Sequence, residues 1–442
     1  MTATALAEAL IAAGLDPAER VGKQALFTTV LRACAPLQSG APTDVWWVPG
    51  RIEVFGKHTD YAGGRTLVCP VPRGFAVLAA PREDRTVTVT DASRGDSITL
   101  PAGTDVPPQT GWRHYVEVAV RRLARNFPGC ALAADIVLAS DLPPASGMSS
   151  SSALVIAVAA ALAAIGGVRK HRAWQANVRT PLDAAAYYAC IENGRRFGGL
   201  EGDSGVGTHG GSEDHAAIVE GRAGMVSAFG FVPPRAIDVA PMPAEWRFVV
   251  APSDVRASKT GGVRSRYNQL SAGAGALLAL WNTNHGGVAV SLAAALASER
   301  GAAEQLREYV HQSSVPGWTP DDLERRLDHF IDEDARILPA VDAFRHADTD
   351  ALAGLARKSQ ADAERLLGNQ IDETIALAKR AREYGAFAAT SFGAGFGGSV
   401  WALATVDTAE QVARRWHRHA FVARPGPPIT RLGYASPNER RA

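Results

Sequence analysis

From residue 75 to residue 100 apolar and polar positions alternate, interrupted at Arg82-Glu83-Asp84 and at Ser93-Arg94-Gly95-Asp96. A period of two broken by charged and glycine-containing turns predicts short β-strands. Shorter apolar runs at 45–48, 134–138, 223–232, 246–252, 386–389 and 400–403 read as further strands. Helical patterning covers 4–38 with a break at Gly14-Leu15-Asp16-Pro17, starts again at Gly111-Trp112, and spans 182–197. From 273 to 385 the chain reads as helices with polar faces and Pro/Gly breaks, as near Pro316-Gly317-Trp318.

Composition narrows the classes. A chain of 442 residues with 46% apolar content favours two globular domains over one. A net charge of +1 gives no argument for a nucleic-acid or anionic-membrane partner. Four dispersed cysteines without a C-x-x-C pair read as reduced thiols, not as a disulfide framework or zinc site. The N-terminus lacks a basic region followed by an apolar core, and the run Ala153–Ile165 is too short to span a bilayer. A cytoplasmic protein is the expectation.

Two stretches carry candidate chemistry. An apolar strand pattern enters Leu142-Pro143-Pro144-Ala145-Ser146-Gly147-Met148-Ser149-Ser150-Ser151-Ser152, and an alanine-rich run leaves it. Strand, small-residue turn, helix leaves backbone N–H groups free at a helix N-terminus, where the dipole favours an anion. A serine N-cap on a buried helix is the alternative. No lysine follows Gly147 where a Walker A loop needs one. The second stretch, Pro49-Gly50-Arg51-Ile52-Glu53-Val54-Phe55-Gly56-Lys57-His58-Thr59-Asp60-Tyr61-Ala62-Gly63-Gly64, sets Arg, Lys, His and Asp between glycines. Such groups bind hydroxyls or phosphates, and a salt-bridged polar hairpin is the alternative.

The second stretch resembles the galactokinase signature G-R-[VI]-N-[LI]-I-G-E-H-[TI]-D-Y-N-G-G. The first resembles P-x-x-x-G-L-S-S-S-A with one extra serine, and Thr390-Ser391-Phe392-Gly393-Ala394-Gly395-Phe396-Gly397-Gly398-Ser399 resembles T-G-A-G-F-G-G-C. On three ordered motifs the chain is identified as a member of the galactokinase branch of the GHMP small-molecule kinases. The resemblance implies an α+β fold of two domains with the active site in the cleft between them. The division expected is 1–225, with the sugar signature and phosphate loop, and 226–442, with the third motif. It implies transfer of a phosphoryl group from ATP, with Mg²⁺, to the anomeric hydroxyl of a monosaccharide, galactose first, by a monomer.

Site roles follow from the same resemblance. Asp214, at the end of a glycine-rich segment resembling G-x-x-x-G-x-M-D-Q, would accept the sugar proton, and Arg51 would stabilise the transferring group. Arg51, Lys57, His58, Asp60, Gly211, Asp214 and Tyr267 would hold the sugar. Trp112 and Tyr115, with the loop Ala145, Ser146, Gly147, Met148, Ser149, Ser150 and Ser151, would hold ATP. Ser151 and Glu192 would hold the metal ion. The glycines at 393–398 would form a tight turn against the phosphate loop.

One departure bears on specificity. Lys57 stands where galactokinases carry glutamate, facing the sugar's sixth carbon. Either Lys57 pairs with Glu53 or turns to solvent, or it recognises a uronic acid or alters selection toward a pentose. A sugar-and-ATP sensor without turnover is a further alternative from a different class. Trp46-Trp47 could stack on a sugar or pack in the core.

Overall fold

The computed structural model describes residues 1–34, 43–143, 147–255 and 262–435. Its strands are β1 (Thr43–Phe55), β2 (Arg65–Pro81), β3 (Thr86–Asp91), β4 (Asp96–Pro101), β5 (Ala134–Ser140), β6 (Met225–Gly230), β7 (Arg235–Pro241), β8 (Trp246–Pro252), β9 (Ala388–Phe392), β10 (Ser399–Thr405), β11 (Phe421–Ala423) and β12 (Thr430–Ala435). They form two sheets. The first runs β12-β1-β2-β5-β3-β4, with β6 on β2 and β7 on β6; the second runs β11-β8-β10-β9. β2 pairs β1 along one edge and is long enough to serve two partners along the other, its first residues pairing β6 and its last pairing β5. β3 and β5 are parallel, and the helix Trp112–Asn126 lies in the connection that makes this possible.

The alternation at 75–100 becomes the end of β2, then β3 and β4, with both turns where the charged clusters stand. The expected division of the chain is 1–225 and 226–442. That cut falls at the start of β6, which is hydrogen-bonded to β2 from Arg65↔Gly230 to Val68↔Ser227. The change of sheet comes between Pro241 and Trp246, and β12 returns to the first sheet from the end of the chain.

The helix Ser150–Ile165 is buried from Ser152 through Ala163. Alanine and β-branched side chains on every face suit a helix covered on all sides, here by β1, β2 and the helices Trp112–Asn126 and Pro181–Asn193. A second core lies under the other sheet, where Leu377, Ala381, Val412 and Trp416 from two helices cover Val249, Val400 and Ala402. A third, centred on Leu277, Trp281, Leu306, Leu327 and Phe330, joins the helices of 262–335. Trp47 is fully buried among the N-terminal helices and Trp46 lies in the main core, so the pair packs the interior and lines no part of the cleft described below. Among the described residues no helix is long and apolar enough to cross a membrane.

Candidate active site

Arg51 and Glu53 sit two apart on β1 and share its inner face. Beyond β1 the chain turns at Gly56 (φ +105°), where a Cβ would stand 2.6 Å from the Thr66 Cα. The Thr59 hydroxyl lies 2.8 Å from the Gly56 carbonyl and 2.7 Å from that of Arg65, closing the turn. His58 faces two partners. Its Nε2 is 3.1 Å from the Ala394 carbonyl, which only accepts, so Nε2 carries the proton. Nδ1 therefore accepts from the Tyr61 hydroxyl at 2.9 Å, and the Tyr61 oxygen accepts from Arg326 at 3.1 Å. Burial pushes the Tyr61 phenol up to about 12, keeping it a donor. Both ring nitrogens of His58 are thus engaged, and its imidazole ties the signature loop to the third motif.

Asp60 accepts the backbone N–H of Glu213 on Oδ2 at 3.1 Å and that of Tyr61 on Oδ1 at 2.7 Å. Burial raises its carboxyl above the ordinary range, and these N–H groups oppose that rise. Gly211 is required beside it, since a Cβ there would lie 2.2 Å from Asp60 Oδ2. The Tyr267 and His58 rings are 5.3 Å apart, and a Cβ at Gly210 would lie 2.8 Å from the Tyr267 hydroxyl. Asp60, Gly211, His58 and Tyr267 are one neighbourhood although they come from three separate parts of the chain.

The Arg51 guanidinium organises the centre. Nε lies 2.7 Å from Asp214 Oδ1, Nη1 donates to the Gly147 carbonyl at 2.6 Å, and Nε is 3.4 Å from Glu213 Oε1. Burial would lower the pKa of Arg51; Asp214, Glu213 and Glu53 outweigh it and hold the cation. Asp214 keeps a side-chain exposure of 20% toward the cleft. Glu53 accepts the Gly393 N–H at 3.0 Å, and burial pushes its carboxyl up to about 7 against the pull of Arg51. Burial, reinforced by Glu53, raises Glu213 well above the usual carboxylate range.

Gly147, Met148 and Ser149 lead into the helix Ser150–Ile165. Ser149 is left-handed (φ 58°) at the N-cap, and its hydroxyl is buried with no hydrogen-bond partner. A left-handed cap, an orphan hydroxyl and free helix N–H groups suit an anion. Gly393 approaches so closely that a Cβ on it would stand 2.9 Å from the Gly147 carbonyl, which is the expected packing of the third-motif turn on the serine loop. Ala145 and Ser146 lie outside the described residues.

Glu192, at the end of the helix Pro181–Asn193, meets this loop. The hydroxyl that reaches it belongs to Ser152, not to Ser151: Ser152 Oγ is 2.7 Å from Glu192 Oε2 and 3.3 Å from Asp214 Oδ2. Four serines in a row leave the choice to helix phase, since each step turns the side chain by about 100°. The glycine-rich segment before Asp214 is anchored along its length. Asp203 meets Arg121 at 3.3 Å, and Asn268 spans the Gly207 carbonyl and the His209 N–H, each at 3.0 Å. At the far side Trp112 donates from Nε1 to Asp96 Oδ2 at 3.0 Å, with Tyr115 a turn later; both line the cleft.

The Lys57 ammonium is turned into the interior. Nζ is 2.6 Å from Ser359 Oγ and 3.7 Å from Glu333 Oε1, and its side chain is 1% exposed. The sugar-facing lysine expected from the motif, and its alternative pairing with Glu53, both give way to this pair. The reason is electrostatic: Glu333 already receives the backbone N–H groups of Gly56 and Lys57, and the lysine completes the site. Glu333 lies in no motif of the sequence, because a remote packing partner selects it, and which of the four serines meets Glu192 is left to the phase of a helix.

These groups line one cleft of about 1000 Å³ that takes in Trp112, Tyr115, Ser149–Ser152, Glu192, Asp214, Arg51, Asp60, Gly211 and Tyr267. With this geometry, three family profiles match the chain in order: the galactokinase galactose-binding signature over 38–81, the GHMP kinases N terminal domain over 114–188 and the GHMP kinases C terminal region over 340–422. A galactokinase of Mycobacterium tuberculosis is 28% identical over 88% of this chain and 96% of its own length. One of Mannheimia succiniciproducens is 25% identical over 83% and 87%. The fold is that of Lactococcus lactis galactokinase complexed with galactose, at a TM-score of 0.72 and 20% identity, covering 92% of this chain and 99% of that one. Methanococcus jannaschii mevalonate kinase shares it at a TM-score of 0.55 and 14% identity, over 88% and 99%.

Proposed function

Because the chain belongs to the GHMP kinases, in their galactokinase branch, we propose that it moves the γ-phosphoryl group of ATP to the anomeric hydroxyl of a monosaccharide, galactose first. The observation that carries this reading is the Arg51–Asp214 pair fastened to the serine loop through the Gly147 carbonyl. Such a pair sets a proton acceptor beside a phosphate site with its charge fixed by a permanent cation.

In this reading Asp60, Gly211 and Tyr267 shape the sugar end, with His58 holding the loop that carries Asp60. Asp214 accepts the proton of the attacking hydroxyl. Arg51 keeps Asp214 ionised and oriented and adds positive charge as negative charge spreads over the transferring oxygens. Ser149, Ser150 and the helix N–H groups hold phosphates, and Trp112 and Tyr115 flank the base.

A divalent ion fits beside this set. Glu192 Oε2 and Ser152 Oγ converge at 2.7 Å with Asp214 Oδ2 3.3 Å from the hydroxyl, a hard-oxygen group suited to Mg²⁺. Held there by Glu192 and Ser152, Mg²⁺ would supply positive charge that offsets the negative charge of the phosphates. Ser152 replaces Ser151 in this role.

The chain is read as two parts, with the boundary moved to the 241–246 connection, where the sheets change. The uronic-acid alternative rested on a sugar-facing Lys57 and loses its support with that side chain on Glu333. The test is ADP release over a panel of hexoses, pentoses and uronic acids with ³¹P NMR of the product. An anomeric phosphate is expected with galactose; no ADP release with any monosaccharide would leave the sensor reading in its place.

A further inference from the structure

His215 follows Asp214 in the helix Glu213–Glu220, lines the cleft and is 3% exposed, yet neither ring nitrogen has a hydrogen-bond partner. A buried imidazole left unsatisfied is costly and calls for a reason. Its Nε2 lies 3.3 Å from Glu192 Oε2, out of line for a hydrogen bond. That same oxygen is 2.7 Å from Ser152 Oγ, which is 3.3 Å from Asp214 Oδ2. Adjacent ligands of an octahedral ion held at about 2.1 Å stand about 3 Å apart, and the separations of Glu192 Oε2 from His215 Nε2 and from Ser152 Oγ, 3.3 and 2.7 Å, bracket that value.

Resting on the phosphoryl-transfer reading, we infer that His215 Nε2 is a direct nitrogen ligand of the divalent ion beside Glu192 and Ser152. A mixed nitrogen–oxygen site shifts selectivity from Mg²⁺ toward Mn²⁺, which accepts imidazole more readily. Among the described residues no group of three or more His, Cys, Asp or Glu side chains encloses an ion by itself. The remaining positions are therefore completed by phosphate oxygens and water, and tight binding requires the nucleotide.

The experiment is electron spin-echo envelope modulation on the full chain with Mn²⁺ and a non-hydrolysable methylene analogue of ATP. Wild-type protein should show a directly bound ¹⁴N nucleus that becomes ¹⁵N when histidine alone is labelled. His215→Gln should abolish that coupling and lower the Mn²⁺/Mg²⁺ affinity ratio several-fold. Bound Mn²⁺ with no histidine nitrogen coupling, or coupling that persists in His215→Gln, overturns the inference and leaves the kinase reading intact. Failure of the chain to bind Mn²⁺ with the nucleotide at all overturns both. Should the variant not fold, the labelled wild type decides alone.

Discussion

Glu333 Oε1 accepts the backbone N–H groups of Gly56 and Lys57 at 3.0 and 3.3 Å and faces the Lys57 ammonium at 3.7 Å. One buried carboxylate thus fixes both the main chain and the side chain of the signature loop from 277 positions away. Arg336 donates to the same carboxylate at 2.6 Å.

Lys57→Glu sets a second carboxylate against Glu333 in the interior. The expected loss is at least ~3 kcal/mol, the range for a broken buried ion pair. Lys57→Met should cost less, because Arg336 remains on Glu333, and should leave the ratio of kcat/KM for galactose and galacturonate unchanged. Urea unfolding and that ratio are the measurements; a shift in the ratio would place Lys57 against the sugar after all.

Asp214→Asn keeps the shape and removes the acceptor for the sugar proton. A fall in kcat on the order of 10²-fold or more is expected, with the circular dichroism spectrum and melting temperature close to wild type. Near-normal turnover would transfer the role to Glu213, which also meets Arg51.

Gly211→Ala brings a methyl to within 2.2 Å of Asp60 Oδ2 and must displace it. KM for the sugar should rise by about tenfold or more, equivalent to roughly 1.4 kcal/mol. Calorimetric titration with the nucleotide alone should be little altered, since the substitution lies at the sugar end.

Two buried glutamates give opposite pH dependences. Lys57 and Arg336 overcome the burial of Glu333 and hold it at about 2, below its ordinary 4.5. Its stabilising contribution is present above 4.5 and is lost as pH falls toward 2. Glu53 is raised by burial from 4.5 to about 7. The folded chain therefore retains a proton that the unfolded chain releases, and its contribution declines as pH rises from 4.5 through 7. Glu333→Gln should flatten the acid limb of stability against pH, and Glu53→Gln the limb between 4.5 and 7. Urea midpoints across pH 3–8 check both; unchanged limbs would contradict these assignments.

Local rules determined much of this protein from sequence. Alternation placed β3, β4 and the end of β2, and strand-turn-helix chemistry placed the serine loop, because period and turn residues act over a few positions. The resemblance brought Arg51, Asp60, Asp214 and Glu192 into one set, and the structure gathers them in one cleft. What only the tertiary structure decided depends on partners far along the chain or on the phase of a helix. Lys57 turns inward because Glu333 and Ser359 are waiting there. Ser152 rather than Ser151 meets Glu192 because the helix presents that hydroxyl. β6 belongs to the first sheet because it pairs with β2, about 160 residues earlier in the chain. Hydrogen bonds between strands and charges buried between helices satisfy groups that are distant in sequence, and no local pattern encodes which of them will meet.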